Sequence, residues 1–254
     1  MKSWTIFAHS LSMVLRNLQQ AVQIGLVPSL IAFGVLAGLF SSLGLSYSLF
    51  EDQKGMQELV TTNPSGFVLV VLLSLLVIWT TMIWIVVSWH RFVLLEEYPS
   101  GWIPPFRLDR ILSYIGHGLL LGLVMFAVMF VVGVVAAMLG AFSQVLMPVV
   151  MVAGVIAMMV IMYRLVAVLP AAAIGKPLKL SEAWAATADA NGTIAGLVVI
   201  MVLFQVAVQL VSGLVALVPV VGIIVVFAAS MLLSLVGVSV LTTFYGHYIE
   251  DRPV

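Results

Sequence analysis

Six long segments of this sequence contain no Asp, Glu or Lys and consist mainly of apolar side chains. A helix needs about 20 such residues to cross the hydrocarbon core of a bilayer, and each of the six segments is long enough. We therefore predict six transmembrane helices. Their approximate bounds are residues 24–45, 67–89, 118–139, 145–169, 193–218 and 221–245.

The composition excludes a soluble protein. Hydrophobic residues make up 63% of the 254 residues and charged residues 8%, whereas a soluble domain carries about 25% charged residues. So much apolar surface cannot be hidden beneath a hydrated exterior. The predicted fold class is an all-α polytopic membrane protein, with a single six-span domain over residues 1–254.

The charge balance and the lack of cysteine exclude several kinds of site. Ten basic and ten acidic residues leave no positive surplus for binding a nucleic acid. Without cysteine, disulfides, zinc–thiolate sites and iron–sulfur clusters are excluded. Residues 3–20 include polar side chains that would interrupt the apolar core of a signal peptide, so we expect no cleaved leader.

Basic residues divide unevenly between the two sides of the membrane that these spans define. Lysine and arginine favour cytoplasmic loops. Lys54 alone lies on one side, in the loop at about residues 46–65, and nine basic residues lie on the other. Both termini are therefore predicted to be cytoplasmic. The nine are Lys2, Arg16, Arg91, Arg107, Arg110, Arg164, Lys176, Lys179 and Arg252.

Three amphipathic segments precede the odd-numbered spans. Each segment places apolar and polar side chains on opposite faces at helical spacing. This pattern predicts helices that lie in the cytoplasmic interface, with the apolar face toward the membrane. The segments are residues 3–20, 107–115 and 179–189.

Similar spacings predict a threefold internal repeat. Arg91 and Arg164 close the second and fourth spans and lie 73 residues apart. A Gly-x-x-x-Gly pattern opens the third span at Gly118 and recurs 74 residues later at Gly192. We interpret each repeat as an interfacial helix followed by a transmembrane hairpin. The repeats cover residues 1–91, 92–165 and 166–254.

Short motifs in the last third of the chain resemble a known family. Residues 164–170 read RLVAVLP, residues 181–187 read SEAWAAT and residues 244–251 read FYGHYIED. With the six-span layout, they resemble the bacterial membrane proteins related to the membrane domain of glycerophosphoryl diester phosphodiesterases. The resemblance implies a multi-pass protein of the bacterial inner membrane. That family's phosphodiesterase domain is a separate soluble barrel, which we do not expect in this chain.

Two arginines near the cytoplasmic ends of spans are candidates for binding lipid phosphate. Aromatic side chains, which favour the depth of the head groups, lie near them in the sequence. Anchoring of the helix ends by arginines that reach back to the interface is the alternative explanation. The predicted head-group contacts are Arg91, Arg164, Trp89, Trp102 and Tyr163.

Gln205 and Gln209 form a polar pair inside the fifth span, four residues apart and so on one helix face. Interhelical hydrogen bonds or a polar path for a substrate would account for them. None of the four histidines lies in the middle of a span, so we expect no haem or metal site. We recognise no catalytic nucleophile beside a base and no phosphate-binding loop, and expect no cofactor.

We interpret the chain as a non-enzymatic integral membrane protein. Its expected role is structural or accessory, or lies in membrane-lipid homeostasis through the interfacial helices. The expected partners are membrane lipids and a membrane protein, either a different one or further copies of this chain. A small transporter or channel with a polar path near Gln205 and Gln209 is the alternative, and a membrane-embedded lipid enzyme is the third hypothesis.

Overall fold

The computed structural model describes residues 2–42, 57, 60–99, 101–218 and 221–253, and the regular secondary structure within them is helical. We number the helices in chain order. They are α1 (Lys2–Arg16), α2 (Leu18–Ser42), α3 (Pro64–Leu95), α4 (Leu108–Gly140), α5 (Leu146–Leu165), α6 (Val168–Ile174), α7 (Leu180–Ala186), α8 (Asn191–Val215) and α9 (Val221–Ile249), with a 3₁₀ helix at Ala188–Ala190.

Six helical segments among the described residues are long and apolar enough to cross a membrane. They are α2, α3, α4, α5 continued by α6, α8 and α9. The predicted all-α polytopic fold class is therefore confirmed. The predicted end of the first span at Leu45 and the lone far-side basic residue Lys54 lie outside the described residues.

Helix α3 begins where the sequence supplies an N-terminal cap. The Asn63 side chain accepts a hydrogen bond from the backbone N–H of Gly66 at 3.0 Å, and Pro64 occupies the first turn. Proline suits this position because its missing N–H would have no partner inside the helix. The helix then runs for 32 residues, about 48 Å, and extends beyond the hydrocarbon core.

The second predicted interfacial helix does not exist as a separate element. Residues 108–115 form the first turns of α4, which continues without a break to Gly140. No proline and no cap separates the amphipathic residues from the apolar ones, so the helical hydrogen bonds simply continue. At 33 residues, or about 50 Å, α4 is long enough to cross the membrane and extend past its surface.

Helix α1 is a separate helix, as predicted, but only part of its apolar face is exposed. Phe7 and Val14 are buried, together with Ile6, because α1 packs across α8 and α9. Trp4 and Leu15 remain exposed. Much of the face that was predicted to contact lipid therefore contacts the protein itself, and the position of α1 in the membrane interface stays a prediction.

The third predicted interfacial segment is also separate, and it forms the short helix α7. Its first turn is fixed by Glu182, whose carboxylate accepts a hydrogen bond from the backbone N–H of Lys179 at 3.0 Å. This is one half of a capping box, and it satisfies an N–H that the helix leaves unpaired. Helix α7 connects the end of the fourth span to the start of the fifth.

The buried helix α6 was not predicted from the sequence. The fourth span was expected to continue to residue 169, but the chain turns at Val166 and Ala167 and forms a second short helix. All seven residues of α6 are buried, where it packs against α3, α4 and α9. Gly175 ends the helix at φ 81°, a left-handed conformation that favours glycine.

Hydrogen bonds between distant parts of the chain gather at one end of the helix bundle. Ser3 donates to the carbonyl of Thr193 at 3.1 Å, and Arg252 donates to the carbonyl of Leu94 at 2.9 Å. We call this end the charged end, because charged side chains of the described residues cluster there. It comprises α1 and residues 91–99, 101–110, 164–193 and 246–253.

Most of the large buried side chains lie in the half of the bundle next to the charged end. Trp89, His90 and Ile111 are no more than 2% exposed, as is Phe244. In the described part of the opposite half, many apolar side chains are exposed. Examples are Phe33, Phe126, Phe142, Leu214 and Leu217. The largest buried side chains are therefore concentrated next to the charged end.

Candidate functional site

Arg164, at the end of α5, connects that helix to α7. Its guanidinium carbon lies 3.6 Å from the centre of the Trp184 ring, and Nη2 donates to the Trp184 carbonyl at 2.6 Å. Nε donates to the Thr187 hydroxyl at 3.4 Å. Residues from two motifs that were noted separately in the sequence therefore form one cluster.

The positive charge of Arg164 is not neutralised by any acidic side chain in the described part of the chain. Among the described residues no carboxylate forms an ion pair with it, and no hydrogen bond from Nη1 is found there. The cation–π contact with Trp184 holds the guanidinium in place but leaves its net charge. A charged fork fixed in this way can accept an anionic group.

An apolar groove of about 280 Å³ lies between α5, α8 and α9, and Arg164 is not among the residues that line it. Tyr163, the residue that precedes Arg164, lies in its wall. Between Gly237 and Phe244 the groove follows α9 for seven residues, about 10 Å. We call it the lateral groove. It is lined by Met162, Tyr163, Val166, Met201, Gly237, Val240, Leu241 and Phe244.

Arg91 occupies a different environment from Arg164. Its Nε donates to Glu97 at 2.6 Å, and its Nη1 donates to the Ala173 carbonyl in α6 at 3.2 Å. Glu97 also accepts from Arg107 at 2.8 Å. Arg91 is therefore neutralised and used to hold α6, which leaves it poorly placed for a lipid phosphate.

The carboxyl group of Glu97 remains ionised because of these two arginines. Burial alone would raise the pKa of Glu97, but the hydrogen bonds and charges of Arg107 and Arg91 outweigh burial and hold that pKa below its usual value. The same contacts raise the pKa of Arg107. This three-residue ionic cluster fastens the end of α3 to the segment that enters α4.

The predicted lipid contact of Trp89 is wrong. Its side chain is 0% exposed, and its indole Nε1 donates to the Ser239 hydroxyl at 2.7 Å. The side chain points toward α9, and hydropathy alone could not reveal that direction. Trp102 is 75% exposed on the segment before α4, and Tyr163 lies in the lateral groove.

His90 is fully buried and pairs with a threonine of α9. Its Nδ1 lies 2.8 Å from the Thr242 hydroxyl, which itself donates to the Val238 carbonyl. That hydroxyl must therefore accept from His90, so Nδ1 carries the proton. Nε2 has no hydrogen-bond partner among the described residues.

The histidines do not assemble a metal site in the described part of the chain. No group of three His, Cys, Asp or Glu side chains there is placed to hold a metal ion. The Nδ1 of His117 lies 2.8 Å from the carbonyl oxygen of Ser113, one turn earlier.

Gln205 and Gln209 are both exposed on α8. Neither side chain forms a hydrogen bond with another described residue, so interhelical bonding within one chain does not account for them. They also do not line the lateral groove. A polar path enclosed by one chain, which the transporter hypothesis requires, is not formed around them in the described residues.

No protein-family model, curated protein or solved structure matches this chain. The six apolar helices make it an integral membrane protein. Its resemblance to the phosphodiesterase membrane domains stays a prediction from the sequence. The geometry at Arg164 and the lateral groove is then the best guide to what the protein does.

Sequence reasoning found Arg164 and Tyr163 but missed the rest of the groove. Met201 and Gly237 belong to apolar runs in which nothing marks a binding position. Glycine at 237 leaves space, since an added Cβ would come no closer than 3.9 Å to the Met201 methyl group. Only the packing of α5 against α8 and α9 reveals that these positions share a cavity.

Proposed function

We propose that this integral membrane protein is a non-enzymatic lipid-binding protein of the bacterial inner membrane, with a role in membrane-lipid homeostasis. A phospholipid would place one acyl chain in the lateral groove and its phosphate at Arg164. The observation that carries this proposal is the Arg164 guanidinium, which has no carboxylate partner among the described residues and follows directly after Tyr163 of the apolar groove.

The groove suits an acyl chain better than a polar ligand. Its lining is apolar except for the Tyr163 hydroxyl and backbone groups. Methionine side chains on both α5 and α8 can adjust to a flexible chain, because Met is unbranched and adapts its shape. A transported polar solute would find no hydrogen-bonding partners along these walls.

Arg164 can bind a phosphate through the part of its guanidinium that the protein leaves free. Nε and Nη2 are engaged by Thr187 and Trp184, so Nη1 remains to donate to a phosphate oxygen. Such a hydrogen bond between a cation and an anion is stronger than one between neutral groups. Basic residues at this position would also face the anionic surface of the cytoplasmic leaflet, in agreement with the predicted orientation.

Native mass spectrometry of the delipidated protein in detergent tests this function. The probes are phosphatidylglycerol and a diacylglycerol with the same acyl chains but no phosphate. We expect wild-type protein to retain phosphatidylglycerol more strongly. Arg164→Gln should weaken phosphatidylglycerol binding roughly fivefold, the effect of about 1 kcal/mol per basic residue, and leave diacylglycerol binding unchanged.

A second variant separates the groove from the charge. Gly237→Leu places a branched side chain in the groove and should reduce the binding of both lipids. Lys179→Gln is the matched control, since it removes one positive charge from an exposed position at the charged end, outside the groove. Equal binding of the two lipids by wild-type protein, or equal losses in Lys179→Gln and Arg164→Gln, would refute the proposal.

A further inference from the structure

The second half of α8 has no buried residue, whereas its first half packs against α1 and α9. Its buried residues are Thr193, Ile194 and Leu197, all in the first two turns. Beyond Leu197 every side chain of this helix is at least partly exposed. An apolar helix surface can face lipid at little cost in free energy. Whether this surface of α8 faces lipid or binds a protein therefore depends on its polar residues.

Gln205 and Gln209 place two unpaired carboxamides inside the membrane. Leu203 is the middle residue of α8, and the glutamines follow it by about 3 Å and 9 Å along the helix axis. No water is available at that depth to satisfy their N–H and C=O groups. Because both are exposed and unbonded to the described chain, their partners must come from outside it.

We propose that two copies of this chain dimerise through α8, with Gln205 and Gln209 of each copy hydrogen-bonded to those of the other. Both copies insert in the same orientation, so their two-fold axis lies along the membrane normal. The two α8 helices then run parallel, and each glutamine meets its counterpart at its own depth. A carboxamide both donates and accepts, so it is self-complementary across such an axis.

The residues around the glutamines define a face for this contact. Val202, Gln205 and Gln209 of α8, with Ala216 directly after its last residue, fall within an arc of about 60° at helical spacing. The opposite face carries Leu203, Leu210 and Leu214, which are all more than 60% exposed. Small and polar residues are typical of contacts between transmembrane helices, whereas leucine suits lipid.

This inference is independent of the proposed lipid site. None of the four residues on the dimer face lines the lateral groove. A different membrane protein could satisfy the glutamines only if it presented polar groups at both depths. A second copy of the chain does so by symmetry.

Disulfide cross-linking in native membranes tests the dimer. The chain has no cysteine, so each single variant carries one thiol. We expect Val202→Cys and Ala216→Cys to form a covalent dimer on oxidation, read on a non-reducing gel. Leu203→Cys and Leu214→Cys, at nearly the same depths on the opposite face, are the matched controls and should stay monomeric.

A second measurement tests the glutamines themselves. The dimer fraction of labelled protein is followed by energy transfer as vesicles of phosphatidylglycerol and phosphatidylethanolamine dilute it. Gln205→Leu with Gln209→Leu should weaken dimerisation roughly tenfold, as expected for the loss of about two interhelical hydrogen bonds. Leu203→Ala with Leu210→Ala is the control on the other face.

Four outcomes would overturn the proposal. Three concern cross-linking: equal yields from the leucine face and the glutamine face, no cross-linking from either face, or an adduct with the mass of a different protein. The fourth is a dimer fraction that does not change when Gln205→Leu and Gln209→Leu are combined. The cysteine positions are exposed in the monomer, so these substitutions should not disturb its packing.

Discussion

At the scale of single residues, similar side chains have different roles because their neighbours differ. Arg91 and Arg164 both close membrane spans, and the sequence assigned them one role. Arg91 has Glu97 within hydrogen-bonding distance and becomes part of the fold, whereas Arg164 has only Trp184 and neutral groups. Which arginine is free for a ligand depends on a loop that folds back after α3, and the spacing of the arginines does not encode it.

Removing the Glu97 carboxylate should destabilise the protein. Glu97→Gln leaves the half-buried Arg91 without its counter-charge, and we expect a loss of about 2 kcal/mol in the free energy of unfolding. Denaturant unfolding in detergent micelles measures it. Asp109→Asn is the matched control, because Asp109 pairs with Arg110 at an exposed site and such pairs contribute less than about 1 kcal/mol. Similar losses in the two variants would contradict this role.

The same carboxylate predicts how stability depends on pH. The pKa of Glu97 is lower in the folded protein than its usual value of 4.5. Its contribution is therefore fully present above pH 4.5 and is lost as the pH falls through the folded pKa. Unfolding midpoints of wild-type and Glu97→Gln protein should differ by a constant amount at neutral pH and converge in acid. A difference that grows on acidification would show that folding does not lower the pKa of Glu97.

At the scale of elements, the spans were predictable and their packing was not. Runs of apolar residues define all six spans because polar backbone must be hidden in lipid by helix formation. The same runs do not show which face of each helix packs against protein and which faces lipid, since lipid is as apolar as leucine. For that reason the sequence predicted a lipid contact for Trp89 and missed the buried helix α6.

Helix α6 should be sensitive to added volume. Ala171, Ala172 and Ala173 are 0% exposed, and such small residues let α6 approach α3 and α4 closely. Ala172→Leu should lower the free energy of unfolding by about 1–3 kcal/mol through overpacking. The control Ala137→Leu lies on an exposed face of α4 and should be neutral. Equal stability of both variants would show that α6 is not tightly enclosed.

At the scale of the whole molecule, the large buried side chains of the described residues are concentrated next to the charged end. The excess of basic residues there predicts that this end is cytoplasmic. In that orientation, the more exposed half of the bundle, which includes the second half of α8, would lie toward the outer leaflet.

The orientation of the molecule is tested by thiol labelling. Lys179→Cys, at the charged end, should react with a membrane-impermeant maleimide only in inside-out vesicles. Ser143→Cys, in the connection between α4 and α5 at the opposite end, should react in intact spheroplasts. The reverse pattern would place the charged end outside the cytoplasm and would contradict the predicted topology.

The central claim is that Arg164 and the lateral groove together hold one phospholipid. Electron cryomicroscopy of the protein in nanodiscs of phosphatidylglycerol and phosphatidylethanolamine tests it most directly. We predict elongated density between α5, α8 and α9, ending in a head group in contact with the Arg164 guanidinium. A groove closed by its own side chains, or ordered lipid elsewhere with none at Arg164, would contradict the account.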